Sequence, residues 1–247
     1  MAAECARPRG HDASSTPRCA TRRAEHLRAA LSLDDVMRAW LRGFDEGMAA
    51  SEAAGRPISA IRATSSPRCA VCALRGDIAE LSVRYRDEGV VGFDIAGPEQ
   101  GLSPSRHLDA FQLIHRANFH VTIHAGEAFG LLSIWEALQW CGAERLGPWR
   151  AHRRRHHRRA GRPHRDGPPW AQYVRDRRVP SRWRAPTSNV HTGAVATFAD
   201  HPIDLLRRLR FRVTVNTDNR LMSGVSLSDE FVALNQPSAW GWTRCSG

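Results

Sequence analysis

Two short β-branched runs that each stop at a cluster of acid/base side chains constrain this chain more than any other feature. Phe119-His-Val-Thr-Ile123 ends at His124-Ala-Gly-Glu127, and Phe211-Arg-Val-Thr-Val215 ends at Asn216-Thr-Asp-Asn219. Runs of this kind read as strands. Barrel enzymes carry their catalytic groups at the C-terminal ends of parallel strands. A His and an Asp on two such strand ends, with a Glu one turn past the His, suit a zinc-activated water and a proton donor.

The text between these runs supplies the crossovers that parallel strands need. Ser32-Leu-Asp-Asp35 is a capping box, and Leu33, Val36, Met37, Trp40, Leu41, Phe44 and Met48 give the following helix one apolar face, ended by Gly55-Arg-Pro57. A helix is expected over about Asp77 to Asp87, then the strand Val90-Val-Gly-Phe-Asp-Ile95, then a helix from Ser105 to Asn118 with Leu108, Phe111 and Ile114 on one side. Ser133-Ile-Trp-Glu136 reads as a second capping box opening a helix to Cys141. Ala171 to Arg178 is expected to be helical, as is Pro202 to Leu209 with Ile203, Leu205, Leu206 and Leu209 apolar. Strand and helix alternate, which implies a parallel sheet closed or wound by crossovers.

A second kind of text interrupts this one. It is rich in Arg, Pro, His, Ser and Cys, lacks a period, and occupies about Arg7 to Arg23, Ala63 to Cys72, Pro148 to Trp170, Ser181 to Ala185 and Gln236 to Gly247. None of these stretches is expected to build a buried element from its own pattern. The organisation expected is an irregular segment over 1–24, a domain over 25–235 interrupted at 148–170, and an irregular tail over 236–247. The net charge of +11 and the pI near 10.8 come largely from Arg150, Arg153, Arg154, Arg155, Arg158, Arg159, Arg162 and Arg165, opposed locally by Asp166 alone. With only Trp149 and Trp170 as flanking aromatics, that stretch is a poor nucleic-acid site, and nucleic acid is not an expected partner.

No run of about 18 apolar residues is present, so a membrane span is not expected, and the first residues lack the apolar centre of a signal peptide. A cytoplasmic location is the expectation. The six cysteines are spaced irregularly and make no disulfide framework. Cys69-Ala-Val-Cys72 has the spacing of half a zinc ribbon, with no second pair to complete it, so metal is not expected there.

Gly92-Phe-Asp-Ile-Ala-Gly97, Phe119-His-Val-Thr-Ile-His-Ala-Gly-Glu127, Pro186-Thr-Ser-Asn189 and Val215-Asn-Thr-Asp-Asn219 occur in the order found in adenosine deaminases. The flanks Val83-Arg-Tyr-Arg-Asp-Glu-Gly89, Ser133-Ile-Trp-Glu-Ala137 and Arg220-Leu-Met-Ser-Gly224 resemble the bacterial branch of that family. The resemblance runs in pieces from about Glu25 to Leu234. It implies an α/β fold, a (β/α)8 TIM barrel of the metal-dependent hydrolase type, here incomplete because the first strand and the C-terminal helices are missing.

The activity implied is zinc-dependent hydrolytic deamination of adenosine or 2′-deoxyadenosine to the inosine product and ammonia. The substrate would be a small purine nucleoside, with free adenine or AMP open as alternatives. By the resemblance, His124 and Asp218 are ligands of one Zn2+. Glu127 is the catalytic group that protonates purine N1, for which it must hold its proton near neutral pH. Gly97 lets its backbone lie against the purine, and Asn219 hydrogen-bonds purine N7. Asp94 reads as a partner behind the site or as a structural residue, and Ser188 and Asn189 as part of a loop beneath it. Each residue also has a plainer reading. His124 could be a core histidine, Glu127 a cap for the next helix, and Asp218 a turn former.

The sequence departs from the family at two places. The His-x-His of the family's first strand has no counterpart, leaving His11 and His26 isolated. Pro148 follows Gly147 where the family has Gly-His-Gly. The alternative reading is therefore a catalytically inactive remnant of the family, whose basic segment is disordered or binds nucleic acid non-specifically. A deaminase acting on bases within nucleic acid is disfavoured because that class uses H-x-E with P-C-x-x-C. The abrupt switches between patterned and Arg-rich text, in register with the family, are accounted for by slips of reading frame. Translating the nucleotide sequence in a neighbouring frame is expected to restore patterned strands and a histidine after Gly147. If no neighbouring frame does so, the account fails.

Overall fold

The computed structural model describes residues 2–6, 18–22, 31–67, 74–99, 101–127, 129–147, 169–177 and 185–238. His11, His26, Cys69, Cys72, Pro148 with the arginine-rich stretch that follows it, and residues 239–247 lie outside the described residues. The chain divides into two compact units, Met1–Glu144 and Arg145–Gly247.

The first unit is a parallel sheet with its crossover helices: α1 (Ala2–Cys5), β1 (Arg18–Arg22), α2 (Leu33–Ala53), β2 (Ile61–Pro67), α3 (Leu74–Arg84), β3 (Val90–Ala96), α4 (Leu108–Arg116), β4 (Val121–Ile123) and α5 (Leu131–Gln139). Strands β1 to β4 lie side by side in chain order, each parallel to the last. The alternation read from the sequence is therefore the architecture. Helix α2 starts where the capping box places it: Ser32 and Asp35 satisfy each other's backbone N–H groups. It ends at Gly55, whose φ of +71 lets Gly55 donate to Glu52 and Arg56 donate to Ser51, the two bonds that close a helix C-terminus through a left-handed residue. Val36, Met37, Trp40, Leu41 and Phe44 are its buried face. Leu33 and Met48 lie at the margin of that face, half-buried.

Three expectations for this unit are corrected. Ala63 to Pro67 was expected to build no buried element, yet it lies within β2, with Thr64, Ser65 and Ser66 buried. The Thr64 hydroxyl pairs with that of Ser82 on α3 and reaches the Gly92 carbonyl at 3.4 Å. Small hydroxyl side chains fit a strand covered on both faces, where backbone pairing rather than apolar periodicity gives stability. For the same reason Arg18–Arg22 is a strand, with every residue in register against Ile61–Ser65. Thirdly, Ser133-Ile-Trp-Glu136 is not a capping box. Helix α5 begins at Leu131 with Gly130 as its N-cap. Ser133 is fully buried, and the Glu136 carboxylate accepts from the Ser105 hydroxyl at 2.7 Å.

The second unit contains β5 (Arg145–Leu146), α6 (Pro169–Asp176), α7 (Pro186–His191), α8 (Ile203–Arg208), α9 (Arg220–Ser223) and α10 (Leu227–Ser238). Helices α6 and α8 lie where the sequence places them. Leu205 is exposed, and Ile203 and Leu206 form the inward face of α8. Phe211 to Val215, expected as a strand, makes only a single bridge at Val213. A strand needs a neighbour, and the only other strand described in this unit has two residues. Val213 and Val215 pack instead against Ile203 and Leu234.

Candidate active site

The parallel register brings Asp94 of β3 and His124, one residue past β4, to adjacent strand ends. Asp94 lies opposite Thr122, Ile95 lies opposite Ile123, and the His124 N–H donates to the Ile95 carbonyl at 3.3 Å. Asp94 is 1% exposed, and its two carboxylate oxygens lie 3.0 and 2.9 Å from His124 Nδ1. An ionised carboxylate only accepts, so the imidazole proton sits on Nδ1 and the lone pair of a neutral ring on Nε2. Ligating histidines are held in this way, with a carboxylate on the other ring nitrogen fixing tautomer and orientation. Asp94 is thus a hydrogen-bond partner of His124 and more than a strand-interior residue. The His124 side chain is partly exposed.

Beyond His124 the chain turns at Gly126, whose φ is +93, and Glu127 follows, half-buried. The N-cap residue of α5 is Gly130. Gly97, where β3 gives way to its loop, has a φ of +128, a conformation open to glycine and strained for a residue with a Cβ. Two residues on, Glu99 is buried, and its carboxylate accepts from the backbone N–H groups of Gly126 and Phe129. Nothing in the sequence marks Glu99, because a Glu after Gly-Pro reads as an exposed loop residue.

In the second unit, Ser188 and Asn189 belong to helix α7 and not to a loop, which corrects the sequence reading. The Ser188 hydroxyl donates to Asp218 Oδ2 at 2.8 Å, and Asn189 Oδ1 lies 3.3 Å from His201 Nε2. Asp218 has a φ of +55, a left-handed turn that Asp tolerates better than most residues, so it is both a turn residue and a side chain held in place. Asn219 precedes α9 and its Oδ1 accepts from Ser223 Oγ at 2.6 Å. Thr187, one residue before Ser188, donates its N–H and hydroxyl to Glu230 Oε2 at 3.0 and 3.2 Å. Glu230 is 0% exposed. Burial pushes its carboxyl from an ordinary 4.5 up to about 7; the Thr187 hydrogen bonds oppose this, and the charges of Asp229 and Asp218 add to it.

The sequence-named residues therefore fall in two groups, with Gly97, His124 and Glu127 in the first unit and Asp218 and Asn219 in the second. Taken singly, His124 backed by Asp94 has the donor chemistry of a zinc-bound imidazole, and Asp218 offers a carboxylate oriented by Ser188. Among the described residues no three His, Cys, Asp or Glu side chains are grouped to hold a metal ion.

The adenosine deaminase family model matches residues 12–246. The chain belongs to the adenosine deaminase family. It is 49% identical over 250 aligned residues to adenosine deaminase 1 of Streptomyces coelicolor, an alignment that covers 98% of this chain and 60% of that protein. The chain thus spans about three fifths of the length of such relatives. An adenine deaminase from Arthrobacter aurescens superposes with a TM-score of 0.72 at 20% identity, covering 92% of this chain and 64% of that one. An amidohydrolase from Burkholderia ambifaria, solved with bound Zn, gives a TM-score of 0.67 at 18% identity, over 92% of this chain and 59% of that one. These likenesses fix the fold of this family member as α/β, of the (β/α)8 barrel type. No described helix is long and apolar enough to cross a membrane.

Proposed function

We propose that this chain is an adenosine deaminase-type hydrolase, converting adenosine or 2′-deoxyadenosine to the inosine product and ammonia in the cytoplasm. The observation that carries this reading is the Asp94–His124 pair at the ends of adjacent parallel strands, continued by Gly126 and Glu127 in a member of this family. In the reaction a water oxygen bonds to purine C6, the C6–N bond breaks, and ammonia leaves. Glu127 delivers a proton to N1, which makes C6 electrophilic. The glycine backbone at Gly97 gives the purine ring close approach, and Asn219 offers a hydrogen bond to N7. His124 and Asp218 are the zinc ligands in this reading, and zinc, when bound, supplies a hydroxide near neutral pH.

Pro148 after Gly147 favours a second reading, an inactive remnant, because proline brings no acid/base group to a position where the family has histidine. Zinc content after dialysis and ammonia release from adenosine by the purified chain separate the two. Stoichiometric zinc with adenosine-dependent ammonia is the result expected for the hydrolase. Soluble chain with neither zinc nor turnover would establish the remnant.

A further inference from the structure

We propose that Glu99 is a positioning residue, whose buried carboxylate fixes the loop carrying Glu127. The proposal rests on the reading of Glu127 as the proton donor and adds to it the device that holds it there.

The loop between β4 and α5 is held at two described points by a residue from outside it. It is bounded by two glycines with positive φ, Gly126 at +93 and Gly130 at +68, so its own backbone has a pivot at each end. Gly126 lies beyond the last residue of β4 and Phe129 lies before the N-cap of α5, so neither N–H has a place in a ladder or a helix. Backbone donors removed from water need an acceptor. Glu99 provides one with each carboxylate oxygen: Oε1 takes the Gly126 N–H and Oε2 takes the Phe129 N–H at 3.1 Å. The two points of attachment bracket Glu127. Glu99 is 6% exposed, and a buried carboxylate is tolerated when charge-assisted hydrogen bonds of this kind replace its water.

The same segment of chain therefore orients both groups at the end of β4. Asp94 within β3 sets the His124 ring, and Glu99, five residues further on, sets the loop. A carboxylate does this better than an amide, because Gln presents one acceptor oxygen where Glu presents two.

Amide hydrogen exchange on the full chain tests the proposal, with Glu99→Gln beside Glu99→Ala so that a poorly folded Ala variant leaves a decisive result. In Glu99→Gln the amides of Gly126 and Phe129 are expected to exchange about 10- to 100-fold faster, while the β3 amides of Phe93 and Ile95 keep their wild-type rates. kcat is expected to fall by up to about 10²-fold with KM nearly unchanged, because the group is misplaced and the purine contacts are not. Unchanged exchange at Gly126 and Phe129 would overturn the proposal, as would faster exchange spread evenly through β3, or a loosened loop with kcat intact. A Glu127→Gln variant with full turnover would defeat the reading of Glu127 and leave the exchange result standing, so the two failures are distinguishable.

Discussion

Glu127→Gln is expected to cut adenosine turnover by about 10²- to 10⁴-fold, the usual worth of a positioned general acid, while leaving zinc content unchanged. Gln matches Glu in shape and cannot deliver a proton. Glu99 holds the Gly126 and Phe129 N–H groups, so the substitution leaves both attached. The structural rival gives a different result. Were Glu127 a helix cap, the substitution would cost on the order of 1 kcal/mol of stability and little rate. Gly130 already holds the N-cap position of α5, which argues against that rival. Initial rates of ammonia release, read beside urea midpoints for the two proteins, decide the matter. Equal rates with a shifted midpoint would remove Glu127 from the chemistry.

The parts of this fold legible in the sequence are those where side-chain chemistry and local pattern coincide. Helix α2 shows its start in Ser32 and Asp35, its buried stripe in Val36 to Phe44, and its stop in Gly55, and all three are realised. Strand β3 and the end of β4 could be read because Phe93, Ile95, Val121 and Ile123 are apolar and flank the polar residues that the site uses. Strands β1 and β2 could not be read. Arg18–Arg22 and the Thr64-Ser-Ser66 stretch carry no apolar alternation, and their place in the sheet comes from backbone pairing to neighbours far away in sequence. Phe211 to Val215 errs in the other direction: its pattern is that of a strand, and among the described residues it forms one bridge, at Val213. The site divides likewise. His124, Glu127 and Asp218 are visible as residue types at strand ends. Glu99 and Glu230 act through burial and through the backbone groups they bind, which a residue type does not disclose.

Glu230 carries the second large expectation, a loss of stability as pH rises through about 4.5 to 7. Its sequence setting suggests the opposite of a buried acid. Ser226-Leu-Ser-Asp229 forms a capping box, with Ser226 and Asp229 exchanging hydrogen bonds, and a Glu next to it reads as an exposed first-turn residue that complements the helix dipole. The fold turns that residue inward. Oε2 is bound by Thr187, while Oε1 is buried with no hydrogen-bond partner among the described residues. Burial, reinforced by the charges of Asp229 and Asp218, lifts the carboxyl from 4.5 to about 7. Because the folded state holds this proton more tightly than the unfolded one, Glu230 costs nothing below about pH 4.5, where both states are protonated. Its cost grows as pH rises and is complete above about 7, where it reaches about 3 kcal/mol. Urea unfolding of the wild type and Glu230→Gln at pH 4 and pH 8 isolates this contribution, since other titrating groups cancel in the difference. The variant is expected to gain about 3 kcal/mol on the wild type between the two pH values. A difference independent of pH would mean that Glu230 ionises freely in the folded chain. The gain bears on the candidate site, because Thr187 adjoins Ser188, which holds Asp218. Burial disfavours the charged form while the Thr187 hydrogen bonds favour it, and burial is the larger of the two.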